Sequence, residues 1–126
     1  MGILRRMARR LRPRRSDGSA APGAALPTGR AAREATAAYL GEFVRTHVGV
    51  EAYVEPVTRV TPATVMLVAT DGEWTRRRVP DTRAAFLLAR ELGIPAYDVQ
   101  RTGYPQRMRD WNSRQRILQR RRAARG

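Results

Sequence analysis

Hydrophobic positions along this chain change their period several times, and each change marks an element. Over residues 31–48, Leu40, Phe43, Val44 and Val48 recur at helical spacing, and Gly49 is placed to end that helix in a left-handed conformation. Val50, Ala52 and Val54 then alternate strictly with Glu51, Tyr53 and Glu55, the period of a half-buried strand. Pro56 and Pro62 bracket a loop. Residues 64–70 (TVMLVAT) are apolar on both faces, as a central strand requires. Asp71-Gly72 predicts a hairpin through a type I′ turn, with positive φ at both central residues, and residues 73–79 return as the partner strand.

After Pro80, Asp81 suits a helix N-cap. Ala84, Ala85, Leu88, Ala89 and Leu92 form the stripe of a second helix, and Gly93 stops it. Residues 94–99 read as a short extra strand. From Pro105 onward the chain reads as a long basic helix, with proline at the first position. Tyr104, Met108, Trp111 and Leu118 lie along one stripe of that helix and are expected to dock it on the domain. The fold class is α+β: a small helix–strand–strand–strand–helix domain with a short extra strand, a basic C-terminal helix and a flexible basic N-terminal arm.

Charge divides the chain in the same way. Residues 1–29 carry seven arginines and one aspartate, residues 105–126 carry eight and one, and residues 30–104 hold ten arginines against nine acids. The formal net charge of +14 therefore sits in two arms around a near-neutral α+β domain over residues 30–104. All 25 basic residues are arginine, which with abundant Ala, Gly and Pro points to a GC-rich genome. Codon bias explains arginine in place of lysine but not the excess, which favours nucleic acid, ribosomes, anionic membrane or acidic protein as partner.

In the first arm, Ile3, Leu4, Met7, Ala8 and Leu11 repeat at helical spacing among Arg5, Arg6, Arg9, Arg10 and Arg12, and Pro13 stops the pattern. So short a helix is marginal alone in water. It reads either as a segment that folds on an anionic partner or as a solvated, disordered arm, followed by a small-residue linker over 16–29.

The inventory for catalysis is thin. Cysteine is absent, which excludes disulfides and thiolate chemistry, and no metal-ligand cluster or phosphate-cradling glycine loop is present. His47 is the only histidine and is expected to pack or cap at the end of the first helix. Ser16, Ser19 and Ser113 lie in the linker and the basic tail, away from any serine–histidine arrangement. Glu51 and Glu55 share a strand face with Tyr53, and salt bridges to arginines across the sheet are the favoured reading over an acid–base pair. No enzyme activity, metal or cofactor is expected.

Two places combine aromatic rings with guanidinium groups. Alternation puts Trp74, Arg76 and Arg78 on one face of a strand, where bases could stack while phosphates pair with arginine. The competing reading packs Trp74 under a helix and turns the arginines toward Glu51 and Glu55. The second place is the C-terminal helix, with Arg107, Arg109, Trp111, Arg114 and Arg121, where Arg107, Arg114 and Arg121 form a row.

The element order over residues 35–93 resembles the topology of the double-stranded-RNA-binding domain, a likeness that implies phosphate-gripping cations at the start of the second helix. There this chain reads Pro80-Asp81-Thr82-Arg83. The blocks Gly49-Val50-Glu51-Ala52-Tyr53-Val54-Glu55-Pro56, Asp71-Gly72-Glu73-Trp74-Thr75-Arg76-Arg77-Arg78, Gly93-Ile94-Pro95 and Gly103-Tyr104-Pro105-Gln106-Arg107-Met108-Arg109-Asp110 also resemble small uncharacterised proteins of actinobacteria. Some of those carry an oxidoreductase label. The resemblance implies a bacterial cytoplasm, and no dinucleotide fingerprint accompanies it.

The sequence thus leads to a cytoplasmic, non-enzymatic, nucleic-acid-associated protein, with RNA or the ribosome ahead of DNA. Phosphates would be held by Arg5, Arg6, Arg9, Arg10, Arg76, Arg78, Arg107, Arg109, Arg114 and Arg121, with Trp74 or Trp111 stacking bases. The alternative is a protein-interaction or regulatory adaptor whose folded domain is the recognition surface, its arms touching anionic membrane or acidic partners. Residues 30–104 alone should keep a partner in the second case and lose it in the first. The chain contains no run of ~18–20 apolar residues that would cross a membrane.

Overall fold

The computed structural model describes residues 29–125. The sequence-predicted N-terminal arm, with Arg5, Arg6, Arg9 and Arg10, lies outside the described residues. The order of elements is α1 (Gly29–Thr46), β1 (Glu51–Glu55), β2 (Thr64–Val68), β3 (Trp74–Arg78), α2 (Thr82–Leu92), β4 (Ala96–Asp98), the one-turn α3 (Val99–Thr102) and α4 (Gln106–Arg125). The fold is α+β, and among the described elements only α3 was absent from the sequence reading.

Four strands form one mixed sheet in the order β3-β2-β1-β4. β1, β2 and β3 are an antiparallel meander, with Tyr53 opposite Met66 and Met66 opposite Arg76. β4 runs parallel to β1, Tyr97 beside Tyr53, and the backbone N–H of Ala52 extends that pairing to the Pro95 carbonyl at 2.8 Å.

The sheet is covered on both faces, which explains why β2 shows no polar alternation beyond Thr64. On one face Ala52, Val54, Val65 and Leu67 meet Leu40 of α1 and Ala85 and Ala89 of α2, all buried. On the other, Tyr53, Met66 and Val68 meet Met108 of α4, with Trp74 and Tyr104 packed alongside. Burying a side chain the size of Leu, Val or Met contributes about 1.5–3 kcal/mol, so both faces matter to stability.

Local chemistry sets the element ends. The Asp81 carboxylate accepts from the Ala84 N–H at 2.8 Å and caps α2, and Gly93 closes it at φ 74°. The β2–β3 connection is not the type I′ turn expected from Asp71-Gly72, because Asp71 keeps negative φ and Gly72 alone is positive, at 94°. Ala69 N–H bonds the Glu73 carbonyl and Gly72 N–H bonds the Ala69 carbonyl, so three residues form the loop. That is the pattern of a type I turn followed by a glycine bulge. The Asp71 side chain supports it by accepting from the Glu73 N–H at 2.9 Å.

Candidate nucleic-acid interface

α4 is two things in succession, a docked half and a projecting half. Its docking is mostly polar. Arg107 donates to the Glu51 carboxylate at 2.7 Å and, through Nε, to the Ala69 carbonyl at 2.9 Å. Tyr104, just ahead of the helix, donates to Glu55. Asn112 accepts from the Trp74 indole N–H at 2.9 Å, and Arg114 donates to the Asp71 carbonyl at 3.0 Å. Met108 is the one buried residue of the helix.

Both carboxylates beneath α4 are paired with arginine. Glu55 accepts from Arg76 Nε and Nη2 at 2.8 and 3.0 Å, and from the hydroxyls of Thr64 and Tyr104. Burial would raise its carboxyl, but Arg76 and the two hydroxyls hold it below the ordinary carboxylate range. Burial likewise works against the charged Glu51, and Arg107 with the Tyr53 hydroxyl more than offsets it. The phenols move the other way: burial and then Glu55 push Tyr104 up to about 12, and burial and then Glu51 raise Tyr53. Glu51, Tyr53 and Glu55 therefore form a structural polar seam, the salt-bridge reading of that strand face.

His47 is held just beyond the end of α1. Its ring stacks on Phe43 at 3.8 Å between centroids, Nδ1 lies 2.9 Å from the Phe43 carbonyl, and Nε2 lies 3.1 Å from the Glu73 carboxylate. The Thr46 hydroxyl beside Nδ1 is committed to the Glu42 carbonyl at 2.9 Å. Both ring nitrogens thus face acceptors, an arrangement only the doubly protonated ring satisfies. Burial lowers the imidazole, yet Glu73, the Phe43 carbonyl and Asp71 together raise it above its usual value.

The aromatic–arginine strand is internal in large part. Trp74 is half-buried against α4, and Arg76 lies 5.1 Å from its ring centroid while closed on Glu55. Arg77, on the opposite face, covers the Tyr39 ring at 3.5 Å, and the Tyr39 hydroxyl reaches the buried Thr75 at 2.8 Å. Arg78 is exposed at the end of β3. At the start of α2, where likeness to the double-stranded-RNA-binding domain would put cations, the Asp81 cap stands instead and Arg83 alone is positive.

Beyond Gln115 every described residue of α4 is exposed, and the docking stripe ends with Trp111 and Gln115 rather than reaching Leu118, which is 41% exposed. Nothing acidic follows Asp110, while Arg114, Arg116, Arg120, Arg121, Arg122 and Arg125 do. Among the described residues no carboxylate pairs with any of these six. Of the sequence-predicted site residues, the structure gathers Trp74, Arg76, Arg107 and Trp111 into or beside the docking contact, leaves Arg78, Arg109 and Arg121 outward, and ties the exposed Arg114 to the Asp71 carbonyl.

Sequence reasoning missed Asn112 as the partner of Trp74; its signal was a polar residue four positions after Met108. It also missed that Gly72 serves α4 as well as the turn, since a Cβ there would meet the Arg107 carbonyl. Among the described residues there is no group of three or more His, Asp or Glu that could hold a metal ion, and no helix long and apolar enough to cross a membrane. No protein-family model, curated protein or solved structure matches this chain.

Proposed function

We propose that this is a non-enzymatic nucleic-acid-binding protein that holds phosphates with the outward and projecting arginines of α4. The observation carrying this reading is the exposed segment after Gln115, with Arg116, Arg120, Arg121, Arg122 and Arg125 and no acid. Cations in the last turn of a helix compensate its dipole, but that effect fades within one turn and is satisfied by Arg122 and Arg125. Arg116, Arg120 and Arg121 have no such use. Kept close together without counter-charges they repel one another, a cost that a polyanion removes.

The non-enzymatic part rests on occupancy. Glu51 and Glu55 are closed on guanidinium groups, and His47 is fixed between Glu73 and the Phe43 carbonyl. Arg76 and Arg107 serve the fold, so phosphate contact belongs to Arg109, Arg114, Arg121 and the remaining distal arginines. Arg78, exposed at the end of β3, adds to the same positive field.

The test is fluorescence anisotropy of the full chain against labelled RNA and DNA, beside a variant with Arg116, Arg120, Arg121, Arg122 and Arg125 all changed to Gln. Anionic lipid vesicles and an acidic peptide serve as competitors. Binding that the variant loses, and that neither competitor displaces at matched charge, is the expected result. Equal affinity of the two proteins, or preference for vesicles or peptide, would overturn it.

A further inference from the structure

Successive residues of an α-helix turn by about 100°, so the exposed arginines of α4 can be placed around its axis. Arg109, Arg116 and Arg120 fall within about 40° of one another, and so do Arg114, Arg121 and Arg125. The two rows stand about 140° apart and bracket the side of the helix that faces away from the sheet. Between them run Asp110, Ser113, Ile117 and Ala124, of which Ile117 is 41% exposed although it touches no core. Each row extends over about 17 Å along the axis.

A solvated face does not require this arrangement. Arginines kept only for solubility would spread over the whole exposed circumference. Here six of the seven exposed arginines fall in two rows that straddle a strip nearly free of charge, and the seventh, Arg122, lies about 80° beyond the second row in the last turn, where a cation answers the helix dipole. An α-helix with its side chains is about 10–12 Å across, and the major groove of B-form DNA is about 12 Å wide with a phosphate backbone along each rim. The A-form major groove of an RNA duplex is too deep and narrow to admit a helix.

From this match we infer that α4 binds duplex DNA by lying in the major groove, each arginine row gripping one of the two flanking backbones while Ser113, Ile117 and Ala124 face the base edges. The inference rests on the nucleic-acid reading above and narrows it to one substrate, against the sequence-level leaning to RNA. Asp110, the one acid on the strip, sits at the docked end of the helix and accepts from Gln106 at 3.0 Å. The floor residues are small or aliphatic and offer little hydrogen-bonding readout, so binding is only weakly sequence-selective, with Ile117 favouring thymine methyl groups.

The experiment combines two measurements on the full chain. Anisotropy against a mixed-sequence DNA duplex, the matching RNA duplex and the single strands should favour the DNA duplex by tenfold or more. The row variants R109Q/R116Q/R120Q and R121Q/R125Q, which spare the docking contact of Arg114, should lower the log–log salt slope by about 2.7 and about 1.8, at about 0.9 per phosphate. Dimethyl sulfate footprinting should show guanine N7, which faces the major groove, protected. Circular dichroism of the variants establishes that the exposed changes leave the fold intact. Binding without N7 protection, or equal affinity for RNA or single strands, overturns the groove inference and leaves the phosphate reading standing. No binding to any nucleic acid overturns both.

Discussion

Arg76 on β3 reaches over Met66 of β2 and closes Nε and Nη2 on the Glu55 carboxylate of β1, at 2.8 and 3.0 Å. One ion pair therefore ties three strands together beneath α4. The side chains of Arg76 and Glu55 are 33% and 16% exposed, so the pair lies between a surface bridge, worth at most about 1 kcal/mol, and a buried one, whose breakage costs about 3–5. Arg76→Ala should therefore cost about 2–3 kcal/mol in urea denaturation.

The same carboxylate sets an acid dependence. Glu55 is lowered from 4.5 in the folded chain, so its stabilisation is complete above that ordinary value and is lost as pH falls toward the folded one. Glu55→Gln should be less stable at neutral pH, with a flatter loss of stability below pH about 4.5. An unchanged acid limb would place that dependence elsewhere.

Gly72 and Gly93 separate two costs of adding a methyl group. At Gly93, φ is 74° and a Cβ would meet nothing within 4 Å, so Gly93→Ala should cost only the left-handed strain, about 1 kcal/mol. At Gly72, φ is 94° and a Cβ would stand 2.1 Å from the Arg107 carbonyl oxygen and 2.9 Å from Trp111 Cβ. Gly72→Ala should cost about 3 kcal/mol or more and loosen α4, read as a change in Trp111 fluorescence. Similar costs at both positions would mean that α4 does not rest on the turn.

His47 gives the opposite pH sign. Its folded value is raised above 6.5, so its contribution is complete below that ordinary value and disappears as pH rises through the folded one. NMR titration of the imidazole should return a value above 6.5, and Glu73→Gln should bring it down. A titration unmoved by that substitution would mean that Glu73 does not hold the ring.

The sheet and its helix-covered face were legible because Ala52, Val54, Ala85 and Ala89 obey simple periods. The face under α4 was harder, since Glu51, Tyr53, Glu55 and Arg76 look like a solvated strand face until a covering helix brings Arg107 and Tyr104 onto them. The salt-bridge reading anticipated Arg76 but not Arg107, because no local spacing links positions 51 and 107. Leu118 misled for a related reason: its helical phase is right for docking, but the sheet ends before the helix does. The turn at Gly72 was read from a dipeptide, while the loop length that decides its type depends on where Ala69 and Glu73 pair.

Cutting the chain at residue 104, the separation of domain and arm that the sequence invites, would remove Met108 and Arg107 from the sheet face and expose Met66 and Val68. Substitution of the projecting arginines is therefore the cleaner way to separate binding from folding.

The most direct measurement is the salt dependence of affinity for a DNA duplex, taken for the full chain and for the variant with Arg116, Arg120, Arg121, Arg122 and Arg125 changed to Gln. The expected result is a steep negative log–log slope that falls by about 4.5 in the variant, five phosphates at about 0.9 each, while its circular dichroism and urea midpoint stay in place. A slope and affinity unchanged by the loss of five guanidinium groups would contradict the account.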